Sequence, residues 1–351
     1  MNKIYKLLLT LVVGLLIVSC NKSDGPSITP KRDYAEQYAK DNDSIVKFLQ
    51  THYMEVVDDT SLPNYGDVSF TEIPTGGTQT SIWNETDEHR KLRTRLVDQD
   101  NIVYTVYYIS FRDGVGVKPC NVDGVYTNYK GTLLNGNVFD QATNPQQLQL
   151  LEGVIRGWSE VFPQFASGTY SANGDGTISY ADFGAGVMFV PSGLAYYNNP
   201  RIATVPAYSP LIFNFKLYEV KRMDQDGDGI PSYLEDLNGD GYIYSLGKDE
   251  AGVNIPNPDN TDGDVTLFPN GDVSPDYLDL DDDADHVLTK TEITQYTNPV
   301  TGAKHYYSYD GAAVDDPLTP YDETQGVPSC GTTPDYTTPG RLRKYRDPSC
   351  H

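Results

Sequence analysis

Carboxylates at alternate positions are the residues of this sequence best spaced for a chemical task, the binding of a cation. The stretch DQDGDGIPSYLE, residues 224–235, carries Asp224, Asp226 and Asp228 at every second position. If Asp224 is position 1, Gly229 is position 6 and Glu235 is position 12. Calcium takes about six to eight oxygen ligands, and a loop with this spacing can wrap around one ion. The spacing therefore predicts a calcium site.

A second loop repeats the pattern less completely. In DDDADHVLTKTE, residues 281–292, Asp281, Asp283 and Asp285 alternate and Glu292 is position 12, but His286 replaces the glycine. Both loops resemble the Asp-rich calcium repeats of thrombospondin type 3 and EF-hand-like bacterial modules, in which Ca²⁺ would be structural. An acidic disordered linker is the alternative. Three stretches match more weakly: DLNGDG (236–241), DNTDGD (259–264) and SANGDGTISYAD (171–182).

The charge of the chain is concentrated in this part. The 351 residues include 26 basic and 49 acidic side chains, a net charge of −23. Residues 224–293 hold 16 Asp and 3 Glu against Lys248 and Lys290, so they contribute −17 of that charge. Nucleic acids attract basic surfaces, so this balance excludes a nucleic-acid partner. It suits a solvated surface or a cation site.

The N-terminus has the pattern of an export signal. MNKIYK is basic, LLLTLVVGLLIV is apolar, and IVSC, ending at Cys20, resembles a bacterial lipobox. The resemblance implies a signal peptide over residues 1–20, a lipidated Cys20 and attachment to a membrane through the lipid. An ordinary transmembrane anchor is the alternative, but the apolar run is short for a bilayer span. We therefore expect an outer-membrane lipoprotein that faces the periplasm or the cell surface.

The other three cysteines are Cys120, Cys330 and Cys350. An exported protein can form disulfides. Because Cys330 and Cys350 share one irregular tail, we expect them to pair and leave Cys120 as the odd thiol. A chain with no disulfide is the alternative.

The stretch VYTNYKGTLLNGNVFDQ, residues 125–141, has a different character. It reads as a strand, a turn and a second strand. It holds no Ser-His-Asp set, no Cys-His pair and no phosphate-binding glycine loop. None of these common catalytic sets therefore explains what the stretch could do as a working part.

The elements around that stretch are mostly strands. Helical spacing of Ile45, Phe48 and Leu49 predicts a helix within residues 33–53. Strand patterns begin at DNIVYTVYYISFRDG and recur at GVYTNYKGTLL, AGVMFVP and SPLIFNFKLYEVKR. A short helix fits GVIRGWSEVFPQF, and residues 54–97 are mixed. The sequence thus divides into a signal peptide (1–20), a tether with a helical or mixed region (21–97), a strand-rich domain (98–222), Asp-rich repeats (223–295) and a Pro/Tyr-rich tail (296–351).

Four motifs in order identify a family. YxGxLxxGxxFD, VIRGW, PxxLAY and PLIFxF follow one another within residues 98–222, and this order resembles FKBP-type peptidyl-prolyl cis-trans isomerases. The resemblance implies an α+β fold, a twisted antiparallel sheet around a short helix, with an apolar pocket between them. The N-terminal helical segment and the calcium loops would extend this domain. The N-terminal segment could also form a homodimer.

The resemblance implies a role for each pocket residue. Trp158 would form the floor, the Ile155 backbone N–H would hold a substrate carbonyl, and the Tyr196 hydroxyl would donate to a carbonyl near the proline. Val205 would lie in the loop over the pocket, and Leu148 is a further substrate-binding candidate although its spacing is short by about one residue. The residues of the catalytic pocket would be Tyr129, Phe139, Asp140, Val154, Ile155, Trp158, Tyr196 and Phe213.

The implied reaction needs no cofactor. Rotation about an Xaa-Pro bond is slow because amide conjugation sets a barrier of roughly 20 kcal/mol. A twisted amide is less polarised than a planar one, so an apolar pocket binds it better than the ground state. The partners would be polypeptides that contain Xaa-Pro bonds, and the chain would assist the folding of exported proteins.

Some positions depart from the family pattern. The stretch between Trp158 and Tyr196 carries the insert SANGDGTISYADFGAG. Ala207 stands where a second proline often follows Pro206, and Tyr197 stands where glycine is usual. These departures leave open a non-catalytic, client-binding or adhesive FKBP-fold lipoprotein with a calcium-stabilised stalk. A part in gliding or surface secretion rests on analogy with Bacteroidetes lipoprotein isomerases and is compatible with either.

Overall fold

The structure is a computed structural model that describes residues 30–60, 64–143, 145, 147–246, 253–264, 266–268, 270–310 and 326–350. The predicted signal peptide and Cys20 lie outside these ranges. The described residues from Tyr34 onward form one compact unit. Within the described ranges, no helix combines the length and the hydropathy needed to cross a membrane. The five predicted segment boundaries stay predictions.

Helix α1 spans Tyr34–Thr51, close to the predicted helix. Its Ile45, Phe48 and Leu49 are buried at the predicted helical spacing. They pack against one face of the main sheet. The chain then leaves the helix for strand β1, His52–Val56, which pairs with β2, Val68–Glu72.

The main sheet has seven strands, all in antiparallel pairs, in the order β3-β4-β10-β11-β5-β6, with β7 beside β5. This agrees with the α+β class and with the strand patterns read from the sequence. The strands are β3 (Arg93–Gln99), β4 (Ile102–Arg112), β5 (Gly124–Leu133), β6 (Val138–Ala142), β7 (Leu148–Leu150), β10 (Gly184–Val190) and β11 (Leu211–Lys221).

Strand β10 shows why the centre of the sheet is apolar on both sides. All seven of its residues are buried. Val187 and Phe189 face the side covered by α1, whereas Met188 and Val190 belong to the core on the opposite side. Successive side chains of a strand point to opposite faces, so a strand covered on both faces loses the alternation of polar and apolar residues.

Helix α2, Arg156–Val161, covers that opposite face. Its Trp158 and Val161 are buried in the core with Phe165 and Phe215. Gly157 lets the helix approach β10, since a Cβ there would lie 2.4 Å from a methyl carbon of Val190. The short helix predicted around VIRGW is therefore the element that covers the second face of the sheet.

The insert after α2 forms a hairpin of β8 (Thr169–Ala172) and β9 (Ile178–Ala181). Its turn is held by Asp175, which accepts hydrogen bonds from the N–H and the hydroxyl of Thr177. Among the described residues, no carboxylate cluster includes a member of this hairpin. The weak calcium match at residues 171–182 is thus a hairpin with its own internal hydrogen bonds.

The Asp-rich segment packs on the strand-rich domain. The side chain of Asn121 donates to the Ile243 carbonyl at 2.7 Å and accepts from the Ile243 N–H at 2.8 Å. Ile243 and Tyr277 share an apolar cluster with Cys120 and Val122. The segment therefore lies against the domain and does not extend from it as a stalk.

The tail packs on the Asp-rich segment in turn. Helix α3 spans Thr289–Glu292, and β12 (Thr294–Thr297) pairs with β13 (Lys304–Tyr306). Val327 and Tyr345 of the tail are buried in one cluster with Ile230 and Ile293. Short 3₁₀ turns occupy Ile82–Asn84, Leu151–Gly153, Phe162–Gln164, Ser192–Leu194, Ser232–Leu234, Asp276–Leu278 and Lys344–Arg346.

Cys120, Cys330 and Cys350 carry free thiols in the structure. Cys120 is buried, and its thiol donates to the Asn121 side chain at 3.2 Å. Burial, and then the neighbouring Cys330 thiol, raise the pKa of Cys350 to about 12, so the two cysteines are neighbours. Their pairing as a disulfide stays a prediction.

Candidate functional site

A cavity of about 520 Å³ opens between α2 and the sheet. Its wall comes from four separated parts of the chain: β5 and β6, the approach to α2, the loop after β10, and β11. The lining residues are Tyr129, Asp140, Gln149, Gly153, Val154, Ile155, Arg156, Trp158, Ala195, Tyr196, Asn199, Arg201 and Phe213.

The floor of this cavity is a set of rings in edge-to-face contact. Trp158 meets Phe213 with ring centres 5.3 Å apart and planes at 89°. Tyr129 meets Trp158 at 4.9 Å and 83°, and Phe139 meets Phe213 at 5.5 Å and 88°. Such contacts fix the orientation of rings and contribute about 0.5–1.5 kcal/mol each beyond burial. The floor is therefore a rigid apolar surface.

Strand pairing brings the polar rim together. Tyr129 is on β5 and Asp140 is on β6, where Asp140 pairs with Gly131. The Tyr129 hydroxyl donates to the Asp140 carboxylate at 2.8 Å. A Cβ on Gly131 would lie 2.6 Å from the tip of the Phe139 ring, so glycine leaves room for that ring against the strand. The packing beside the rim therefore requires glycine at position 131, which is the glycine of the YxGxL motif.

The two hydroxyls of the cavity are held in their protonated form. Burial, and then the hydrogen bond to Asp140, raise the pKa of Tyr129. Burial, and then the charge of Asp140, raise the pKa of Tyr196. Both hydroxyls can therefore donate hydrogen bonds at neutral pH, and neither can act as a phenolate base.

The loop that carries Tyr196 is anchored by aromatic contacts. Tyr197 adopts a left-handed backbone with φ of 49°, the conformation in which glycine is usual. Its ring stacks on Tyr34 at 4.6 Å and meets the edge of Tyr208 at 5.0 Å. Tyrosine is thus accommodated in place of glycine because its ring packs against α1 and the following loop.

Helix α1 holds the other end of the same loop. The buried Asp41 carboxylate accepts from the Ser192 N–H at 2.8 Å and from its hydroxyl at 2.6 Å. A Cβ on Gly193 would lie 2.3 Å from the Tyr104 hydroxyl, so this turn fits only glycine against the sheet. The N-terminal helix therefore supports the pocket.

Of the ten pocket residues predicted from the sequence, most line the cavity. Phe139 supports the floor through its edge-to-face contact with Phe213 without lining the cavity itself, and Val205 is buried in the adjoining core. Leu148 does not reach the cavity, because on β7 it pairs with Tyr126 and packs over Gly124. The cavity-lining residues among the ten are Tyr129, Asp140, Val154, Ile155, Trp158, Tyr196 and Phe213.

Several lining residues were missed by sequence reasoning. Gln149 takes the place expected for Leu148, and Arg156 lies inside the VIRGW motif but was not singled out. Asn199 and Arg201 follow Tyr196 in a loop without periodic pattern. Only Arg156 had a sequence signal, namely its place between Ile155 and Trp158.

The Asp-rich segment forms a second candidate site. Two carboxylate clusters match the predicted loops: Asp224, Asp226 and Asp228, and Asp281, Asp283 and Asp285. In each cluster one oxygen per residue lies within 4.8 Å of the others. Two further clusters were not predicted as sites: Asp228, Glu235 and Asp282, and Asp262, Asp272 and Asp279.

The turns of both loops use left-handed backbone. Gly229 has φ of 105°, as its position in the loop requires. His286 takes the same role in the second loop with φ of 76°. The missing glycine therefore does not prevent the second turn.

The glutamates at position 12 of each loop are buried beside the aspartates of their loops. Burial, and then the charges of Asp228 and Asp226, raise the pKa of Glu235 to about 10. Burial, and then the charges of Asp283 and Asp285, raise the pKa of Glu292 to about 9. Neither glutamate has a hydrogen-bond partner for its carboxylate oxygens. Buried charges of one sign are unfavourable unless a cation or protons neutralise them.

Comparison with known proteins gives one family model and several similar proteins. The family described as BamM C-terminal matches residues 225–321. The FKBP-type peptidyl-prolyl cis-trans isomerase FkpA of Escherichia coli K12 is 34% identical over 110 residues, which cover 31% of this chain and 35% of FkpA. The Outer membrane protein MIP of Legionella longbeachae is 31% identical over 112 residues, which cover 31% of this chain and 41% of that protein.

These relatives are matched over less than half of their own length. The crystal structure of FkpA from Escherichia coli matches 33% of this chain and 48% of its own chain, with 30% identity and a TM-score of 0.27.

Proposed function

We propose that this chain, which carries an FKBP-type domain over residues 98–222, is a peptidyl-prolyl cis-trans isomerase that assists the folding of exported proteins. One observation carries the proposal. Residues from four separated sequence motifs, including Tyr129, Trp158, Tyr196 and Phe213, converge on one aromatic cavity. The name of the relative FkpA, an FKBP-type peptidyl-prolyl cis-trans isomerase, supports the same activity.

The cavity suits a proline and the amide before it. A proline ring placed on Trp158 would contact Phe213 and lie within reach of the Tyr129 ring. The Xaa-Pro carbonyl would lie over the aromatic floor, where the rings replace part of its contact with water. Conjugated charge separation in the planar amide is less stable there than in water, so the pocket favours the twisted amide. The barrier that is lowered amounts to about 18–20 kcal/mol in free peptides.

Hydrogen-bond donors at the rim orient the substrate. The Tyr196 hydroxyl stays protonated and can donate to a carbonyl next to the proline. The Tyr129 hydroxyl is already committed to Asp140, and it fixes the ring that faces Trp158. In this mechanism the chain moves no proton and needs no cofactor, because its residues bind one geometry of the amide more tightly than another.

Catalysed refolding tests the proposal. The slow refolding phase of a denatured protein limited by Xaa-Pro isomerisation should accelerate when residues 21–351 are added. Tyr196→Phe should reduce the acceleration about fivefold, since one neutral hydrogen bond contributes about 1 kcal/mol. Tyr170→Phe is the matched control, because Tyr170 is 63% exposed on β8. A folded wild-type chain that leaves the slow phase unchanged would overturn the proposal.

A chain that assists the folding of exported proteins would have to act outside the cytoplasm. We propose that Cys20 is lipidated and that the chain is an outer-membrane lipoprotein; the lipobox-like IVSC and the name of the Legionella relative support this. Cys20→Ser should shift the protein from the membrane fraction to the soluble fraction. A Cys20→Ser protein that stays with the membrane would contradict it.

A second function is supported by the buried carboxylates. We propose that the loops 224–235 and 281–292 bind Ca²⁺ in a structural role. Asp224, Asp226, Asp228 and Glu235 would hold one ion, and the second would be held by Asp281, Asp283, Asp285 and Glu292. Carboxylate oxygens are the ligands that calcium prefers. Equilibrium dialysis of the metal-free chain against Ca²⁺ should give two bound ions per chain, and a chain that retains none would exclude both sites.

A further inference from the structure

Asp282 lies between the two proposed calcium loops. It belongs to the second loop by sequence, yet one of its carboxylate oxygens lies within 4.8 Å of oxygens of Asp228 and Glu235 in the first loop. Alternation explains the placement. Asp281 and Asp283 turn toward their own cluster, so the residue between them points the other way.

The Asp282 side chain is buried and unpartnered. It is 1% exposed, and neither of its carboxylate oxygens has a hydrogen-bond partner. Glu235, also 1% exposed, has two oxygens in the same condition, and one oxygen of the fully buried Asp228 is likewise unpartnered. Three carboxylates so placed repel one another, and burial removes the water that would screen them.

No cationic side chain of the described residues is seen to pair with this cluster. Lys290, the nearest candidate along the second loop, donates its ammonium to the Gly227 carbonyl at 2.6 Å. Arg346 reaches Asp276 at 3.9 Å and Thr261 at 2.9 Å. The charge of Lys290 offsets part of the Asp228 charge, whereas the carboxylates of Glu235 and Asp282 have no cationic partner among the described residues and are left for a ligand.

The backbone holds the two loops in this arrangement. A Cβ on Gly229 would lie 2.9 Å from the terminal methyl of Ile293, so the loops are pressed together. Ile230 and Ile293 share one apolar cluster. The Thr289 N–H donates to the Leu280 carbonyl at 2.9 Å and fixes the backbone on either side of Asp282.

We propose that Asp282 is a ligand of the cation in the first loop, so that this ion bridges both loops. The inference rests on the proposed calcium binding and adds a residue to it. One oxygen each from Asp224, Asp226, Asp228 and Asp282, with both oxygens of Glu235, gives six ligands, and Ca²⁺ requires about six or more. An ion held in this way joins residues separated by more than forty positions in the sequence.

Calorimetric titration of the full chain with Ca²⁺ tests the bridge. Asp282→Asn should weaken the binding of one of the two Ca²⁺ ions at least tenfold. Asp175→Asn, on the exposed β8–β9 turn, should leave the affinity for both ions unchanged. In a chain that already carries Glu235→Gln, so that the first loop no longer binds Ca²⁺, Asp282→Asn should leave the affinity for the ion in the second loop unchanged. If Asp282→Asn instead lowers that affinity, Asp282 is a ligand in the second loop and the proposed bridge is wrong.

The two proposals fail in different ways. If the wild-type chain binds no Ca²⁺, the proposal of calcium binding is itself wrong. If two ions bind and Asp282→Asn changes the affinity for neither, only the proposed bridge is wrong.

The melting temperature supplies a second readout. In excess chelator Asp282→Asn should melt higher than wild type, because one buried charge is gone. In saturating Ca²⁺ it should melt lower, because a ligand is gone. A shift of the same sign in both buffers would contradict the bridge even if the variant were poorly stable.

Discussion

Glu160 joins the pocket helix to the Asp-rich segment, and its replacement tests that connection. The carboxylate is fully buried. It lies 3.1 Å from the Arg95 guanidinium and 2.7 Å from that of Arg156, and it accepts a hydrogen bond from the Tyr244 hydroxyl at 2.9 Å. Tyr242, two residues earlier, donates to the Glu160 carbonyl at 2.8 Å.

The expected cost of Glu160→Gln follows from this geometry. Removing one partner of a fully buried ion pair costs about 3–5 kcal/mol. The side chains of Arg95 and Arg156 are 29% and 33% exposed, so water solvates part of their charge after the substitution. Hydrogen bonds to charged groups contribute about 1.5–3 kcal/mol. With the discount for exposure, we expect a loss of about 2–3 kcal/mol in the free energy of unfolding.

Urea unfolding at saturating Ca²⁺ measures this loss. Glu152→Gln is the matched control, since Glu152 is exposed on the neighbouring 3₁₀ turn and its replacement should change stability by less than about 0.5 kcal/mol. A double-mutant cycle with Tyr244→Phe should give a coupling of about 1 kcal/mol, because the two side chains share one hydrogen bond. A loss below about 0.5 kcal/mol for Glu160→Gln, or no coupling to Tyr244, would refute the connection.

Two further predictions concern buried groups. Burial raises the pKa of Cys120 to about 12, so roughly one thiol in ten thousand is ionised at pH 8. Alkylation of Cys120 by iodoacetamide, followed by mass spectrometry, should therefore be far slower in the native chain than in urea. Equal rates would contradict the burial of this thiol. Gly157→Ala should destabilise the domain by about 1–3 kcal/mol through overpacking against Val190. Gly153→Ala, whose nearest neighbour would be 3.9 Å away, is its control, and equal melting temperatures for the two variants would show that α2 does not pack as described.

Local patterns predicted the parts of the fold that local forces decide. Ile45, Phe48 and Leu49 marked α1 because one face of a helix must bury its apolar residues. The strand segments were recognisable because β-branched and aromatic residues fill them. The pocket rings were found because their motifs keep a fixed order along the chain.

Contacts between distant residues could not be predicted in the same way. Tyr244 lies 84 positions from Glu160, and no pattern in either segment refers to the other. In the sequence, Asp282 is one more residue of an acidic run. Only the packing of the two loops brings its carboxylate next to those of Asp228 and Glu235. The register of β7 on β5 is another such contact, and with it Gln149, not Leu148, is among the residues that line the cavity.

The central claim is that the aromatic cavity accelerates rotation about Xaa-Pro bonds. Exchange NMR on an Xaa-Leu-Pro peptide measures that rotation directly in the presence of residues 21–351. The account predicts faster cis/trans exchange with the wild-type chain and with Tyr170→Ala, and exchange at the rate of the bare peptide with a Tyr196→Ala, Phe213→Ala double variant. Exchange no faster than the bare peptide, from a folded wild-type chain, would contradict the account and leave a client-binding domain without catalysis.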